Sequence, residues 1–298
     1  MYLNTLNDHL RRRFGRKIYK LSLSTGCSCP NRDGTLDTRG CIFCDGAGAF
    51  AAAGPIPDQL AAAKARVAAK AGPEAGYIAY FQSFTNTHAP AERLRPLFRA
   101  AMAPEEVVGL SIATRPDCLG PEILALLAEL AKRKPLWVEL GLQTINPRSA
   151  AWMRRGYDLP VFEAAVETLH GIGAQVVAHQ IIGLPGESPE DMTATARYIG
   201  QRCDGIKFHL LHVLRGTGLE AEWRAGRVPE LTLEQYIALL EGCIRQLPRD
   251  LVIHRLTGDG AKRDLLAPLW SGDKKRVLNT MDRAFRAHDL IQGSGLDF

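Results

Sequence analysis

No run of 18 apolar residues occurs in the sequence, so no stretch of it is long enough to cross a bilayer as a helix. The first residues, MYLNTLNDHLRRRFGRKIYK, also lack the apolar stretch of a secretory signal. Both absences predict a cytoplasmic protein with no membrane partner. Low-complexity linkers and short internal repeats are missing too, which excludes a string of small modules. Aromatic residues are few, at 7%, but hydrophobic residues make up 46% of the 298, enough for one large core. A single domain over residues 1–298 is expected, with a core at about 16–255 and terminal extensions at about 1–15 and 256–298.

What the chain does have is thiols in one place. Of its seven cysteines, four (Cys27, Cys29, Cys41 and Cys44) fall within eighteen residues. Cys118, Cys203 and Cys243 are too scattered to form a second cluster. An odd, clustered set does not suit a disulfide scaffold and reads as metal-binding thiolates in a reducing compartment. The net charge is a mild +5. Much of it lies in Arg11, Arg12, Arg13, Arg16, Lys17 and Lys20, with a second group at Lys274, Lys275 and Arg276. Such groups attract phosphate backbones, although a solvated helix face is the commoner origin of the pattern.

Short runs rich in β-branched and aromatic residues alternate with helical patterns. Strands are predicted at 17–23, 76–81, 107–113, 136–142, 175–182, 205–211 and 251–255. Helices are predicted at 57–71, 90–102, 120–133, 159–172, 188–201 and 232–247, several of them opening on Pro or an acidic residue. Repeated strand–helix–strand units imply an α/β fold with a parallel sheet, since parallel neighbours need crossover connections. Periodicity does not separate a doubly wound sheet from a barrel.

The segment GCSCPNRDGTLDTRGCIFCDGAG follows the first predicted strand directly, where barrel folds place their chemistry. Cys41 and Cys44 form a C-x-x-C pair, with Cys29 upstream and Cys27 two residues before it. A four-thiolate zinc knot needs two C-x-x-C pairs, and a C-x-C is a poor substitute. A fully ligated iron–sulfur cluster and a zinc-stabilised loop both stay open on spacing alone. Three thiolates would leave one iron free to bind a substrate.

CPNRDGT…GCIFC resembles the cluster loop of radical S-adenosylmethionine (SAM) enzymes in its long-spaced form, as in the catalytic subunit of Elongator. The whole chain resembles the YhcC/YtqA family of bacterial radical SAM proteins. The words that carry this, in order, are KIYKLSL, YFQSFTNT, SIATRPDCL, ELGLQT, HQIIGLPGE, KFHLLHVLRGT, APLWS and VLNTMDRAF. The resemblance implies a partial (β/α)6 TIM-type radical SAM barrel. It also implies a [4Fe–4S] cluster held by Cys29, Cys41 and Cys44, with SAM on the fourth iron. An electron from the cluster would cleave SAM to a 5′-deoxyadenosyl radical. Cys27 then reads as a bystander, since relatives carry an apolar residue there; the alternative is that it replaces Cys29 as ligand.

Further roles follow from the same resemblance. Phe43 stands at the aromatic position before the last ligand, where the backbone reads adenine. Gln143 and Arg155 match a glutamine followed twelve residues later by an arginine, both at SAM or substrate; a surface helix position is the alternative for Arg155. Glu139 lies four residues before Gln143, on the same face of an extended strand. Thr114, Arg115 and Asp117 match the third-strand motif, but the glutamate that precedes the threonine in that motif is Ala113 here. Gln82 and His179 complete the expected cofactor-binding set, with Gly183 permitting a turn after the fifth strand. Lys207 and His209 share one side of the sixth strand. If that side is the barrel interior they are catalytic residues facing substrate; otherwise His209 is a core residue.

The relatives imply modification of a wobble-uridine side chain in tRNA, one branch of the family processing a 5-substituted uridine. tRNA as substrate and a flavodoxin- or ferredoxin-type electron donor are the partners expected. Radical chemistry on a small metabolite or peptide is the enzymatic alternative. A non-catalytic iron–sulfur adaptor that binds RNA is the other. No acetyl-transfer domain like Elongator's is visible in the sequence.

Overall fold

A computed structural model describes residues 1–46, 54–258 and 262–296. Six parallel strands follow one another across a sheet in chain order: β1 (Ile18–Leu23), β2 (Gly76–Phe81), β3 (Val107–Thr114), β4 (Leu136–Gln143), β5 (Gln175–Ile182) and β6 (Gly205–Leu210). A short strand β7 (Val213–Leu214) leaves the sheet and pairs antiparallel with β9 (Leu265–Ala267). β8 (Val252–Arg255) adds a seventh parallel strand beside β6. The sheet is the curled, partial barrel expected of a TIM-type fold.

The helices are α1 (Leu6–Phe14), α2 (Ile56–Val67), α3 (Ala91–Met102), α4 (Pro121–Ala131), α5 (Pro147–Trp152), α6 (Leu159–Gly171), α7 (Pro189–Gly200), α8 (Gly218–Arg224), α9 (Leu233–Arg245) and α10 (Lys274–Ala287). The crossover helices turn Leu60, Leu94, Phe98, Leu126, Phe162, Ile199 and Leu240 onto the outward-facing residues of the strands, making one continuous core. α7 starts where Ser188 and Asp191 cap each other's backbone in a capping box.

Alternate strand residues face the concave side, and they fall into layers. At the N-terminal ends of the strands, Ile18, Ile78, Trp137 and Val177 form an apolar layer. α1 lies across it. Leu6, Leu10 and Phe14, spaced four apart, make one stripe, and Leu10 is buried in the layer. Burying such a side chain contributes about 1.5–3 kcal/mol.

This placement divides the two basic groups. Arg12 donates to Asn4 at 2.6 Å, and Arg13 donates to Gln175 at 3.1 Å while stacking over Trp137. Arg12 and Arg13 therefore sit at the closed end of the barrel, away from the cysteine loop, and not where an RNA would have to meet the thiols, whereas Lys20 points into the barrel toward Glu139.

The N-terminal extension is part of the fold. Thr5 bridges to Ile253 of β8, and Tyr2 bridges to Ile291. Asn4 donates from its side chain to Asp250 O at 2.7 Å and from its backbone N–H to Gln292 Oε1 at 2.9 Å.

Candidate active site

The thiols sit on the loop after β1. Cys29 O accepts from Arg32 N at 2.7 Å and Asp33 N at 3.1 Å, turning the chain back on itself. Gly40 N donates to Asn31 O at 2.6 Å, and Cys44 N to Cys41 O at 3.0 Å. Asn31 ties the loop to the far side of the site, donating to Arg154 O at 2.8 Å and to Cys41 Sγ at 3.4 Å. Cys29, Cys41 and Cys44 all line one cavity of about 1250 Å³ at the C-terminal ends of the strands. Cys27 does not; its side chain is buried in the core beside Leu23 and Ile56.

Among the described residues, no three His, Cys, Asp or Glu side chains converge as the ligands of one metal ion. The donor set fits an iron–sulfur cluster in its surroundings, with three thiols on one cavity, an amide donor on Cys41 Sγ and a buried Arg32 Nε that has no protein partner.

Below the cavity lies a charged layer centred on Glu139, which is 0% exposed. Its Oε1 accepts from Lys20 at 2.6 Å and Ser111 at 2.9 Å. Its Oε2 accepts from Tyr80 at 2.8 Å and from His179 and Lys207 at 2.9 Å each. A carboxylate offers about four lone-pair sites, so Glu139, expected at the cofactor, is saturated from within the chain. It organises the floor of the cavity and offers no vacant acceptor to a ligand.

The charges follow from the packing. Burial alone would raise the Glu139 carboxyl, but Lys20, Lys207 and the His179 bond together hold it well below the usual carboxylate range. Burial, reinforced by Lys207, pushes His179 down to about 4, so the ring is neutral and donates from Nε2. Burial lowers Lys207 to about 8 against the pull of Glu139, with Lys20 and Arg255 adding to the fall. His209 stacks on His179 at 4.9 Å, and burial drives it well below its ordinary value. Lys207 and His209 both face the cavity, on the same side as the sequence pattern requires.

The Lys207 shift has a measurable consequence. The unfolded chain keeps this proton up to about pH 10.5, and the folded chain releases it near 8. Between those values the unfolded state binds more protons, so stability should rise with pH, by at most about 1.36 kcal/mol per unit. Denaturation midpoints at pH 7.5 and 9.5 should show a smaller rise for Lys207→Met than for the wild type. An equal rise in the two would refute the assignment.

Gln143 and Arg155 meet at the end of β4. Gln143 has φ 71, and the β4–β5 register slips between Leu140 and Gln143. Arg155 is buried and holds this kink, donating from Nη1 to Leu142 O at 3.1 Å and Thr144 O at 2.8 Å. Tyr157 donates to Gly141 O beside it. Arg155 is thus no surface residue, and the kink aims Gln143 into the cavity together with Gly141 and Glu139.

Arg115 packs over Tyr157 and grips Asp117 through two bonds, at 2.9 and 2.6 Å. The hydroxyl of Thr114 is engaged by Thr87 at 2.5 Å. Gln82 reaches Ser22 at 3.5 Å, and Phe43 lines the same cavity as the thiols. Tyr80, Ser111, Arg255 and Asn31 carry no signal in the sequence, and Lys20 reads there only as part of a basic cluster. The interruption of KIYKLSL by a lysine on its inward-facing register was the available signal.

The Radical SAM superfamily model matches residues 34–199, and the Radical_SAM C-terminal domain model matches 203–287. YtqA of Bacillus subtilis (strain 168) is 41% identical over 295 residues, covering 97% of this chain and 91% of that protein. YhcC of Escherichia coli (strain K12) is 36% identical over 296 residues, covering 99% and 95%. A tRNA uridine(34) acetyltransferase of Dehalococcoides mccartyi is 33% identical over 129 residues, 42% of this chain and 28% of that protein. The structure of the archaeal Methanocaldococcus infernus Elp3 with an N-terminal deletion aligns with a TM-score of 0.72 at 17% identity, over 92% of this chain and 64% of that one; at such identity the likeness is one of fold.

Proposed function

We propose that this chain, which belongs to the radical SAM superfamily, modifies the side chain of a tRNA wobble uridine. The family uses a [4Fe–4S] cluster and SAM; when bound, they supply a 5′-deoxyadenosyl radical by one-electron cleavage. Cys29, Cys41 and Cys44 hold the cluster. Phe43, Gln82, Thr114, Gln143, Arg155 and His179 surround SAM, with Glu139 fixing His179 beneath it. Lys207 and His209 face the substrate, and Lys207, titrating near neutrality, moves protons there.

The observation that carries the substrate class is the rim. Lys262, Arg263 and Lys274 are exposed and line the thiol cavity, with Asp264 paired to Arg263 at 2.9 Å and Asp45 also in the lining, so cations outnumber carboxylates there. Cations there suit a phosphate backbone whose base reaches inward. The similarity to a tRNA uridine(34) acetyltransferase points to the same class of RNA. A flavodoxin- or ferredoxin-type protein supplies the electron.

Two measurements test this. Reconstituted protein given dithionite and SAM should release 5′-deoxyadenosine, and an adaptor would release none. Nucleoside mass spectrometry of tRNA from a deletion strain should show an altered uridine derivative. An unchanged nucleoside profile sinks the tRNA assignment and leaves a small metabolite or peptide as the substrate.

A further inference from the structure

Arg32 lies three residues after Cys29, and its side chain folds back across the cysteine loop. Nη2 donates to the carbonyl oxygen of Cys44. Two glycines with left-handed backbones, Gly40 (φ 73) and Gly46 (φ 69), form the walls of the slot it occupies. A Cβ on Gly46 would stand 2.6 Å from Nη1, and one on Gly40 would stand 2.9 Å from Nε and Cζ. No residue with a side chain fits at either wall without displacing the guanidinium. Nε is buried and has no hydrogen-bond partner.

The guanidinium in this slot lies within the cysteine loop, bonded to the carbonyl oxygen of Cys44 between Gly40 and Gly46. Arg115, which also lines the thiol cavity, is gripped by Asp117 at 2.6 Å. A simple loop staple would need only the bond to Cys44 O, which a glutamine or lysine could make. It would need neither the glycine walls nor an Nε–H left without a partner.

We propose that Arg32 is a positioning residue that sets the reduction potential of the cluster, its fixed charge and Nε–H donor favouring the reduced state. The proposal rests on the reading of Cys29, Cys41 and Cys44 as the ligands. One electron entering the cluster adds one negative charge, and no bond at Arg32 forms or breaks. A cation at fixed distance stabilises the more negative state more, and hydrogen bonds to the sulfurs act in the same direction.

The test is an EPR-monitored potentiometric titration of anaerobically reconstituted protein without SAM, with iron content measured alongside. Arg32→Gln should keep its iron and shift to a more negative midpoint. At the wild-type midpoint, its ratio of reduced to oxidised cluster should fall about tenfold, equivalent to 59 mV for one electron. Arg32→Lys should lie between the two. Equal midpoints for Arg32→Gln and wild type, at equal iron content, overturn the proposal.

If Arg32→Gln does not hold iron, Gly46→Ala decides, because it keeps the charge but pushes it out of the slot. A negative shift there supports the proposal, and an unchanged midpoint overturns it. Loss of iron in both variants makes Arg32 a loop staple and also overturns it. A wild type that takes up no cluster would sink the ligand assignment itself, which separates that failure from one confined to Arg32.

Discussion

Cys29→Ala, Cys41→Ala and Cys44→Ala are each expected to lose the iron that the wild type takes up on anaerobic reconstitution, falling from about four atoms per chain to near none. Cys27→Ala should keep it. The four thiols lie within one loop and look interchangeable by spacing, but the fold separates them. Three open onto the cavity, and the fourth is packed among Leu23, Ile56 and Leu60. For Cys27 to become a ligand, the residues just after β1 would have to leave the core and break the Thr25 contacts to Cys27 N and Asn86. Iron and sulfide assays with the absorbance of the reconstituted variants check this. Loss of the cluster in Cys27→Ala with retention in Cys29→Ala would reverse the assignment.

Glu139→Gln is expected to destabilise the protein by about 3–5 kcal/mol at pH 7, the range found when one partner of a buried ion pair is removed. The carboxylate has two ammonium groups against it, the partly buried Lys20 at 2.6 Å and the buried Lys207 at 2.9 Å. The amide that replaces it is nearly isosteric, so the loss would be electrostatic and not a cavity effect. It also presents an NH₂ to donors that need an acceptor. Urea denaturation measures the effect. The double variant Glu139→Gln/Lys207→Met should recover part of it, since one stranded cation is then gone, and with Lys207→Met measured alone the double-mutant cycle gives the coupling energy. A single variant within about 0.5 kcal/mol of wild type, the range of an ordinary surface substitution, would mean that the layer is not held by charge.

The parallel sheet was legible because each strand is a short apolar run bounded by turn residues. β2 and β5 fall at the predicted bounds, and the others within a residue at either end. The terminal segments were harder. α1 and α10 are dominated by charged residues, and their apolar stripes, Leu6–Leu10–Phe14 and Val277–Met281–Phe285, are one residue wide. Such a stripe signals a helix only once something exists to bury it. α5 and α8 are too short for periodicity to register.

At the site, the cysteines and Gln143 were readable because motif and spacing survive in one dimension. The Glu139 layer was not, since Lys20, Tyr80, Ser111, His179 and Lys207 come from five different strands and meet only through the curl of the sheet. Arg155 shows the same limit from another side. Its distance from Gln143 in sequence was visible, but its grip on the backbone around Gln143 depends on the left-handed turn there.

The stopper formed by α1 has a consequence for traffic. With Leu10 seated against Ile18, Ile78, Trp137 and Val177, the barrel is shut at its N-terminal end. Nothing passes through it from end to end. What occupies its depths rests on that stopper, so a bulky molecule at the thiol-lined mouth hinders exchange of whatever lies behind it.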